Sequence, residues 1–399
     1  MIPAASRLMP TVVCYNNTCE TLPGGLAIRI AHLTLTNFRN YQQLELDLPP
    51  DIAVLQGDNA QGKTNFLEAI YLLATTRSQR ATAERELISW SIPKDEPVVA
   101  RLVAQVQKTA AILQVELVLT TTNHSPETLA QKRIKINGVP RRAIDVVVQL
   151  NVVLFSPADI DLIGGAPSLR RRYLDITISQ FNHRYLRSLQ RYNKVLQQRN
   201  HLLKLIAEGR ANVDQLDFWD KELLEHGGYI AEQRLSAVCD LNLLSQPIHH
   251  QISSGENLQI NYMPSASEDF SEGLKRIRQE EIARGMSLMG PHRDDLKFMV
   301  NDSDIGIYGS RGQQRTVALS LRLAETRLLQ SKTGEEPVML LDDVLSELDA
   351  TRRHHLLSSV SSYQQVLITT TDLDHFDPDF LDQATLLRVS SGNITPMQT

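Results

Sequence analysis

Cysteine is scarce, with only Cys14, Cys19 and Cys239 in 399 residues. An odd, sparse set argues against a disulfide framework and fits a reducing compartment. Cys14 and Cys19 are followed by no second Cys or His pair at ligand spacing, which argues against a zinc site. Long apolar runs are also missing. None approaches the roughly 20 residues that a membrane-spanning helix needs, and Met9 to Val13 is broken by Pro10 and followed by Asn16 and Asn17. That patch is too short for a secretory core, so a cytoplasmic protein with no membrane partner is expected. Residues 1–27 read as a flexible extension or a start codon assigned too far upstream. Aromatics are few (5%), which argues against base stacking on single strands. The formal net charge of -5 excludes no polyanionic partner, because contact depends on where positive charge clusters.

What is present is α/β patterning. Ile28, Ile30, Leu33 and Leu35, then Leu44, Leu46 and Leu48, alternate as in strands. A buried strand is expected at Ile52 to Leu55, a helix from Asn65 to about Thr75, and further strands from Val98 to Ile136. From about Arg170 the period becomes helical. Leu189, Leu196 and Leu203 lie seven apart with Leu186 on the same stripe, and Phe218, Leu223, Ile230 and Leu235 suggest a returning helix with Gly227-Gly228 as its weak point. Two such helices predict an antiparallel arm. Strand signals return at Leu258 to Tyr262, Val338 to Leu341 and Val366 to Thr370, with a helix at about Gly312 to Gln330 between them. The reading is an ATPase domain of residues 28–169 and 286–399, interrupted by an inserted helical domain of residues 170–285.

Gly57, Asp58, Asn59, Ala60, Gln61, Gly62, Lys63 and Thr64 match the phosphate-loop pattern G-x-x-x-x-G-K-[ST] without a mismatch. Glycines let backbone N–H groups wrap a phosphate, and the helix that follows points its positive end at the anion. Lys63 is expected on the β- and γ-phosphates of ATP and Thr64 on Mg²⁺. Val338 to Asp342 is an apolar strand ending in two carboxylates. Asp342 is expected to hold Mg²⁺ opposite Thr64, and Asp343 to orient or deprotonate the attacking water. Ser310, Arg311, Gly312 and Gln313 open a helix. By itself that is an N-cap, but in the cassette arrangement it faces the triphosphate of a second copy. A head-to-head dimer is therefore expected, with Asp349 crossing the same interface.

These motifs resemble the RecF family of bacterial recombination and repair ATPases, relatives of SMC heads, over nearly the whole chain from about Ile28. The run Asn37 to Tyr41 is similar to the family's N-terminal strand motif, in which Arg39 and Asn40 lie near nucleotide. Pro157 to Asp159, Gly164 to Pro167 and Arg171 to Asp175 resemble a family hallmark, with Ala158 where an acid is usual. Gly290 to Asp294 and Leu340 to Asp349 also match. In place of the usual cassette histidine after the last core strand stands Thr369 to Asp372, which makes Thr370 or Thr371 the expected γ-phosphate sensor. The resemblance implies an ABC/SMC-type head with a mainly helical insertion. It also implies an ATP-dependent homodimer, slow DNA-stimulated hydrolysis, binding to duplex DNA and single-/double-strand junctions near gaps, and partnership with RecR (with RecO) in recombinational repair and replication restart.

Positive charge concentrates on the arm. Arg184, Arg187, Arg191, Lys194, Arg199, Lys204 and Arg210 accompany a single acid, Glu208, in that span. Helical spacing sets Arg184, Arg187, Arg191 and Lys194 on one side, as sequence-independent phosphate contact requires. Lys132-Arg133 and Arg141-Arg142 are weaker candidates. A metabolite kinase also needs a phosphate loop but not Ser310 to Gly312 or Asp349. A transporter subunit needs a glutamine loop, and none can be placed. An ATP-binding scaffold with negligible turnover stays open, because Asp343 is one methylene shorter than the glutamate of fast cassette ATPases.

Overall fold

Alternation and periodicity resolve, among the described residues, into two six-stranded sheets, a three-stranded sheet ordered Ser303–Asp304, Asp295–Val300 and Leu258–Met263, and a helical layer. The computed structural model describes residues 28–89, 98–108, 111–121, 130–266 and 269–397. The extension of residues 1–27, with Cys14 and Cys19, lies outside them. Along the chain run β1 (Ile28–Phe38), β2 (Tyr41–Asp47), β3 (Ile52–Gln56), α1 (Lys63–Thr75), β4 (Val98–Lys108), β5 (Ala111–Thr121), β6 (Gln131–Ile136), β7 (Val139–Arg141) and β8 (Val152–Phe155). Next come α2 (Pro167–Ser179), α3 (His183–Ala207), α4 (Leu216–Ile252), β9 (Leu258–Met263), α5 (Phe270–Arg284), β10 (Asp295–Val300), β11 (Ser303–Asp304) and α6 (Arg311–Thr333). The chain closes with β12 (Val338–Asp342), α7 (Ala350–Val360), β13 (Val366–Thr370), β14 (Ala384–Ser390) and β15 (Asn393–Pro396).

One sheet, ordered β2-β1-β4-β5-β6-β7, is antiparallel. A bulge between Ile30 and His32 shifts the β1 register, which explains why Ile28 and Ile30 are followed by Leu33 and Leu35 on the same buried face. The other sheet, β15-β14-β3-β13-β12-β8, is parallel except for β15. Its central strands are covered on both faces, so they read as unbroken apolar runs, and Val338 to Leu341 are all 0% exposed. The α1 side chains Phe66, Leu67, Ile70, Leu72 and Leu73, each at most 1% exposed, join the core shared by the two sheets.

The arm differs in register from the sequence reading. Phe218 and Leu235 are exposed. The buried stripe of α4 instead follows Leu216, Leu223, Ile230 and Ala237 at heptad spacing. Gly227 is a close-packing point rather than a weak one, since a Cβ there would come within 2.9 Å of Phe270 Cε1 and 3.0 Å of Tyr192 Cε2. Nor does the helical segment bury a core of its own. Tyr173, Tyr185, Leu223 and Ile230 belong to one apolar cluster with Phe155, Leu341 and Ile368 of the parallel sheet. The boundary expected at 169/170 falls inside α2, and the one at 285/286 lies between strands β9 and β10, which pair antiparallel.

Arg199 shows what secures the arm. It is fully buried and donates to Asp220 (2.6 Å), Glu281 (2.6 Å) and Ser287 Oγ (2.7 Å), joining α3, α4 and α5. It is therefore not one of the arm's solvent-facing cations. Replacing one member of such a network leaves a buried charge unpaired, at about 3–5 kcal/mol. Arg199→Met is thus expected to lower unfolding free energy in urea by about that much, whereas Arg187→Met, on the exposed side of the same helix, shifts it by less than about 0.5 kcal/mol.

Candidate nucleotide site

The phosphate loop sits where β3 hands over to α1, and its shape is forced by what surrounds it. A Cβ on Gly57 would lie 2.3 Å from the Val389 carbonyl oxygen, and Gly62 adopts φ +119°. Only glycine meets both demands. Asn40 Nδ2 donates to the Gln61 carbonyl (2.9 Å), Tyr41 Oη to the Gly62 carbonyl (3.0 Å) and the Ser391 N–H to Gln61 Oε1 (2.6 Å). Asn40 thus braces the loop, while Asp58, Asn59 and Ala60 form its exposed lip. Lys63 Nζ is folded back onto the carbonyls of Gly57 and Asp58. Burial pushes its pKa down, and Asp343, Asp342 and Asp58 pull it back up. Arg39 is committed elsewhere, with a two-pronged pair to Glu68 at 2.9 Å for each contact and a further bond to the Glu86 carbonyl.

The two carboxylates at the end of β12 meet this loop. Thr64 Oγ1 donates to Asp342 Oδ1 at 2.9 Å, and Thr369 Oγ1 donates to the same oxygen at 2.9 Å. Burial raises the Asp342 pKa against these two hydrogen bonds. Asp343 turns the chain with φ +50°. Its N–H reaches Thr369 Oγ1 (3.1 Å), and its carbonyl accepts from Ser346 Oγ (2.8 Å). Its Oδ1 is buried without a hydrogen-bond partner among the described residues. Burial raises the Asp343 pKa, opposed by Lys63 and His375.

Of the threonines at the end of β13, Thr369 is the one bonded to the carboxylate segment. Thr370 is turned away and closes the strand through its own loop, donating to the Asp372 carbonyl (2.7 Å). Thr371 offers its carbonyl to Gln56. Side chains alternate across a strand, so 369 and 370 cannot share a face, and Thr369 is the threonine that meets the Asp342 carboxylate and the Asp343 N–H. His375, in the short turn Leu373–His375 beyond β13, lies within electrostatic reach of the Asp343 carboxyl.

Ser310 caps α6, accepting from the Gln313 N–H at 3.2 Å while its own N–H donates to Gln313 Oε1. Ser310 and Arg311 are exposed, Gly312 and Gln313 half-buried. Among the described residues no hydrogen bond or ion pair joins these four to residues 57–64. Asp349 caps α7 through the Arg352 N–H (2.9 Å). The two segments are linked behind the site, because Arg315 on α6 pairs with Glu347 at 2.6 Å.

A cavity of about 490 Å³ opens beside Thr64 and Asp342, lined by α1 residues and by Tyr173, Arg322 and Glu325. Buried Arg322 pairs with Asp159 (2.7 Å) and Glu325 (2.8 Å). In the Pro157 to Asp159 motif the ion pair thus rests on Asp159, so Ala158 in place of an acid leaves it intact. The Gly290 to Asp294 motif binds the arm to β10. Arg234 donates to the Pro291 carbonyl (2.6 Å), and Tyr192 Oη meets His292 Nδ1 (2.7 Å). Burial pushes His292 down to about 4.

On α3, Arg184, Arg187, Arg191 and Lys194 are all exposed. Arg191 pairs with Glu222 (2.5 Å), and Arg184 lies over the Tyr229 ring, 4.3 Å from its centroid. Lys132 pairs with Glu84, while Arg141 and Arg142 are exposed. No helix among the described residues is long and apolar enough to cross a membrane.

Comparison with known proteins agrees with this geometry. The family described as RecF/RecN/SMC N terminal domain matches residues 29–390. The DNA replication and repair protein RecF of Herpetosiphon aurantiacus is 48% identical over 382 residues, covering 92% of this chain and 99% of that one. The same-named protein of Roseiflexus castenholzii is 45% identical, with equal coverage. The solved structure of the recombination mediator protein RecF-ATP of the RecFOR pathway superimposes with TM-score 0.84 at 30% identity, covering 95% of this chain and 100% of that one. An Smc head domain from Pyrococcus furiosus, at 14% identity and TM-score 0.53, covers 93% of this chain and 96% of that one and shares the fold alone. A phosphate loop closed by Thr64 onto Asp342, a capped Ser310 helix and near-full-length identity of this degree have one common explanation: the chain belongs to the RecF family, with the ABC-type ATPase head fold of RecF and SMC proteins.

Proposed function

We propose that the protein is an ATP-dependent DNA-binding ATPase of recombinational repair and replication restart. It closes as a homodimer around ATP on duplex DNA near gaps and single-/double-strand junctions, and hydrolyses ATP slowly. The observation that carries this reading is the 2.9 Å hydrogen bond from Thr64 to Asp342, set beside an Asp343 carboxylate oxygen that is buried without a partner. The names of the relatives support the DNA-repair role, and solved RecF complexes with nucleotide support ATP.

Thr64 Oγ1 and Asp342 Oδ1 are the hard oxygen donors that Mg²⁺ takes, and two protein donors, with the rest left to water and phosphate, suit an ion carried by a nucleotide. An ion held by Thr64 and Asp342 would supply charge neutralisation to the triphosphate. Lys63 exchanges the carbonyls of Gly57 and Asp58 for phosphate oxygens. Asp343, freed of hydrogen-bond competition, accepts from the attacking water, while Thr369 holds the Asp342 carboxylate and the Asp343 backbone N–H. Ser310 and the Gly312 N–H of a second copy close on the γ-phosphate, with Asp349 at the same interface. Family membership supports a partnership with RecR, and with RecO, as part of the same proposal.

Lys63→Met is expected to abolish ATP binding. Asp343→Asn should keep binding, lose 10²–10⁴-fold in turnover and accumulate dimer, read by light scattering with ATP and a duplex. Wild-type turnover should fall as pH drops through the raised Asp343 pKa, with its acid limb above that of an ordinary aspartate. A wild type that stays monomeric with ATP and DNA would sink the clamp reading, and one that dimerises without turnover would make it a scaffold.

The exposed side of α3 is the proposed DNA surface. Because Glu222 holds Arg191, the test falls on Arg187→Glu with Lys194→Glu. Duplex affinity should drop, and the slope of log affinity against log salt should lessen by about one per phosphate contact removed. Unchanged binding would move the surface elsewhere.

A further inference from the structure

The turn that opens α6 is held from outside its own helix. Gln313 Oε1 accepts from the Ser310 N–H (3.1 Å) and hydroxyl (3.3 Å), while Gln313 Nε2 donates to Glu256 Oε1 at 3.2 Å. A side-chain amide has one accepting end and one donating end. The Glu256 carboxylate therefore decides which end faces Ser310. A flipped amide would set oxygen against the carboxylate and a donor against the Ser310 N–H.

Glu256 is itself fixed by the arm. It lies between α4 and β9. Its N–H donates to Ser253 Oγ (3.2 Å), whose hydroxyl donates to the His249 carbonyl (2.6 Å) in the last turn of α4. Its second oxygen, Oε2, stands 3.5 Å from Nε2 of His249, a side chain buried completely. The hydrogens around that ring follow from its partners. Ser320 on α6 spends its hydroxyl hydrogen on the Thr316 carbonyl (2.8 Å), so the 3.1 Å contact between Ser320 Oγ and His249 Nδ1 takes its hydrogen from the ring. Burial favours the neutral ring, against the pull of Glu256. Nε2 then carries a lone pair, and it has no hydrogen-bond partner among the described residues. Gln313 thus engages one oxygen of Glu256, and the other faces an acceptor.

We propose that Glu256 is a positioning residue for the Ser310 turn, holding the Gln313 amide in the one orientation that shapes that turn. The end of the arm's long helix thereby sets the geometry of the segment that meets ATP in a second copy. This inference rests on the head-to-head dimer and names what keeps its trans half in shape.

Glu256→Ala frees the amide. In the full-length protein with ATP, Mg²⁺ and a duplex, kcat is expected to fall about 10-fold, the low end for a hydrogen bond to a charged partner. The dissociation constant of the ATP-bound dimer, by analytical ultracentrifugation, should rise by a similar factor. ATP affinity of the monomer, titrated at protein concentrations below dimerisation, should stay unchanged. Glu256→Gln should restore wild-type kcat, because its carbonyl accepts from Gln313 and its amino group donates to the bare His249 Nε2. Glu256→Ala added to Gln313→Ala should cost nothing further, since the two act through one contact.

Wild-type kcat and dimerisation in Glu256→Ala would overturn the inference. So would a Glu256→Gln as defective as Glu256→Ala, or a double variant well below Gln313→Ala alone. Each of these leaves the proposed function standing. Failure of the wild type to dimerise with ATP and DNA would remove the proposed function and this inference together.

Discussion

A carboxylate at the buried end of a parallel strand must find donors or stay neutral, and Asp342 finds two. Thr64 brings the phosphate loop to it, and Thr369 brings the next strand. One oxygen thus fixes the relative position of β12, β13 and the start of α1. The Thr369 hydroxyl also receives the Asp343 N–H, so the same threonine sets the turn that follows. The Asp343 side chain is left in a place where its Oδ1 has no partner among the described residues. An acceptor that is desolvated and unanswered is destabilising to the empty fold and favourable only to something that donates to it.

From that point polar links run outward to the parts proposed to meet a second copy or DNA. Ser346 bonds to the Asp343 carbonyl, and Glu347 pairs with Arg315 on α6, five residues after Ser310. On the opposite flank, Arg322 joins α6 to Asp159, at the entry to the α2 region. The arm is then tied to the head by Arg234 and His292 and stiffened within by Arg199. Of these ties, the Arg322 and Arg199 pairs are buried and charge-assisted, whereas Arg315–Glu347 is half-exposed and Tyr192–His292 is a neutral hydrogen bond. The helical segment behaves as an extension of the sheet's core, not as a separate body.

The phosphate loop was legible because its chemistry demands glycine at fixed spacing, and the central strands because burial on both faces leaves a continuous apolar run. What escaped was whatever depends on register or on distance through space. Thr369 and Thr370 are adjacent in sequence yet face opposite ways, so choosing between them needs the pleat. His375 lies five residues beyond β13, and only the turn returns it to Asp343. Arg199 looked like one more cation in a basic helix, because the acids that bury it come from two other helices. Helical spacing alone admits Phe218 and Leu235 to the arm's apolar stripe, whereas it is the heptad through Leu216 and Leu223 that faces inward.

The hand of the turn at residue 343 constrains which acids that position can hold. Its φ of +50° is tolerated by aspartate and asparagine, whose short polar side chains bond locally, but carries a penalty of roughly 1–2 kcal/mol for other L-residues. A glutamate at this position would bear that penalty while lengthening the side chain by one methylene, so the reach of the carboxylate and the hand of the turn cannot be varied independently.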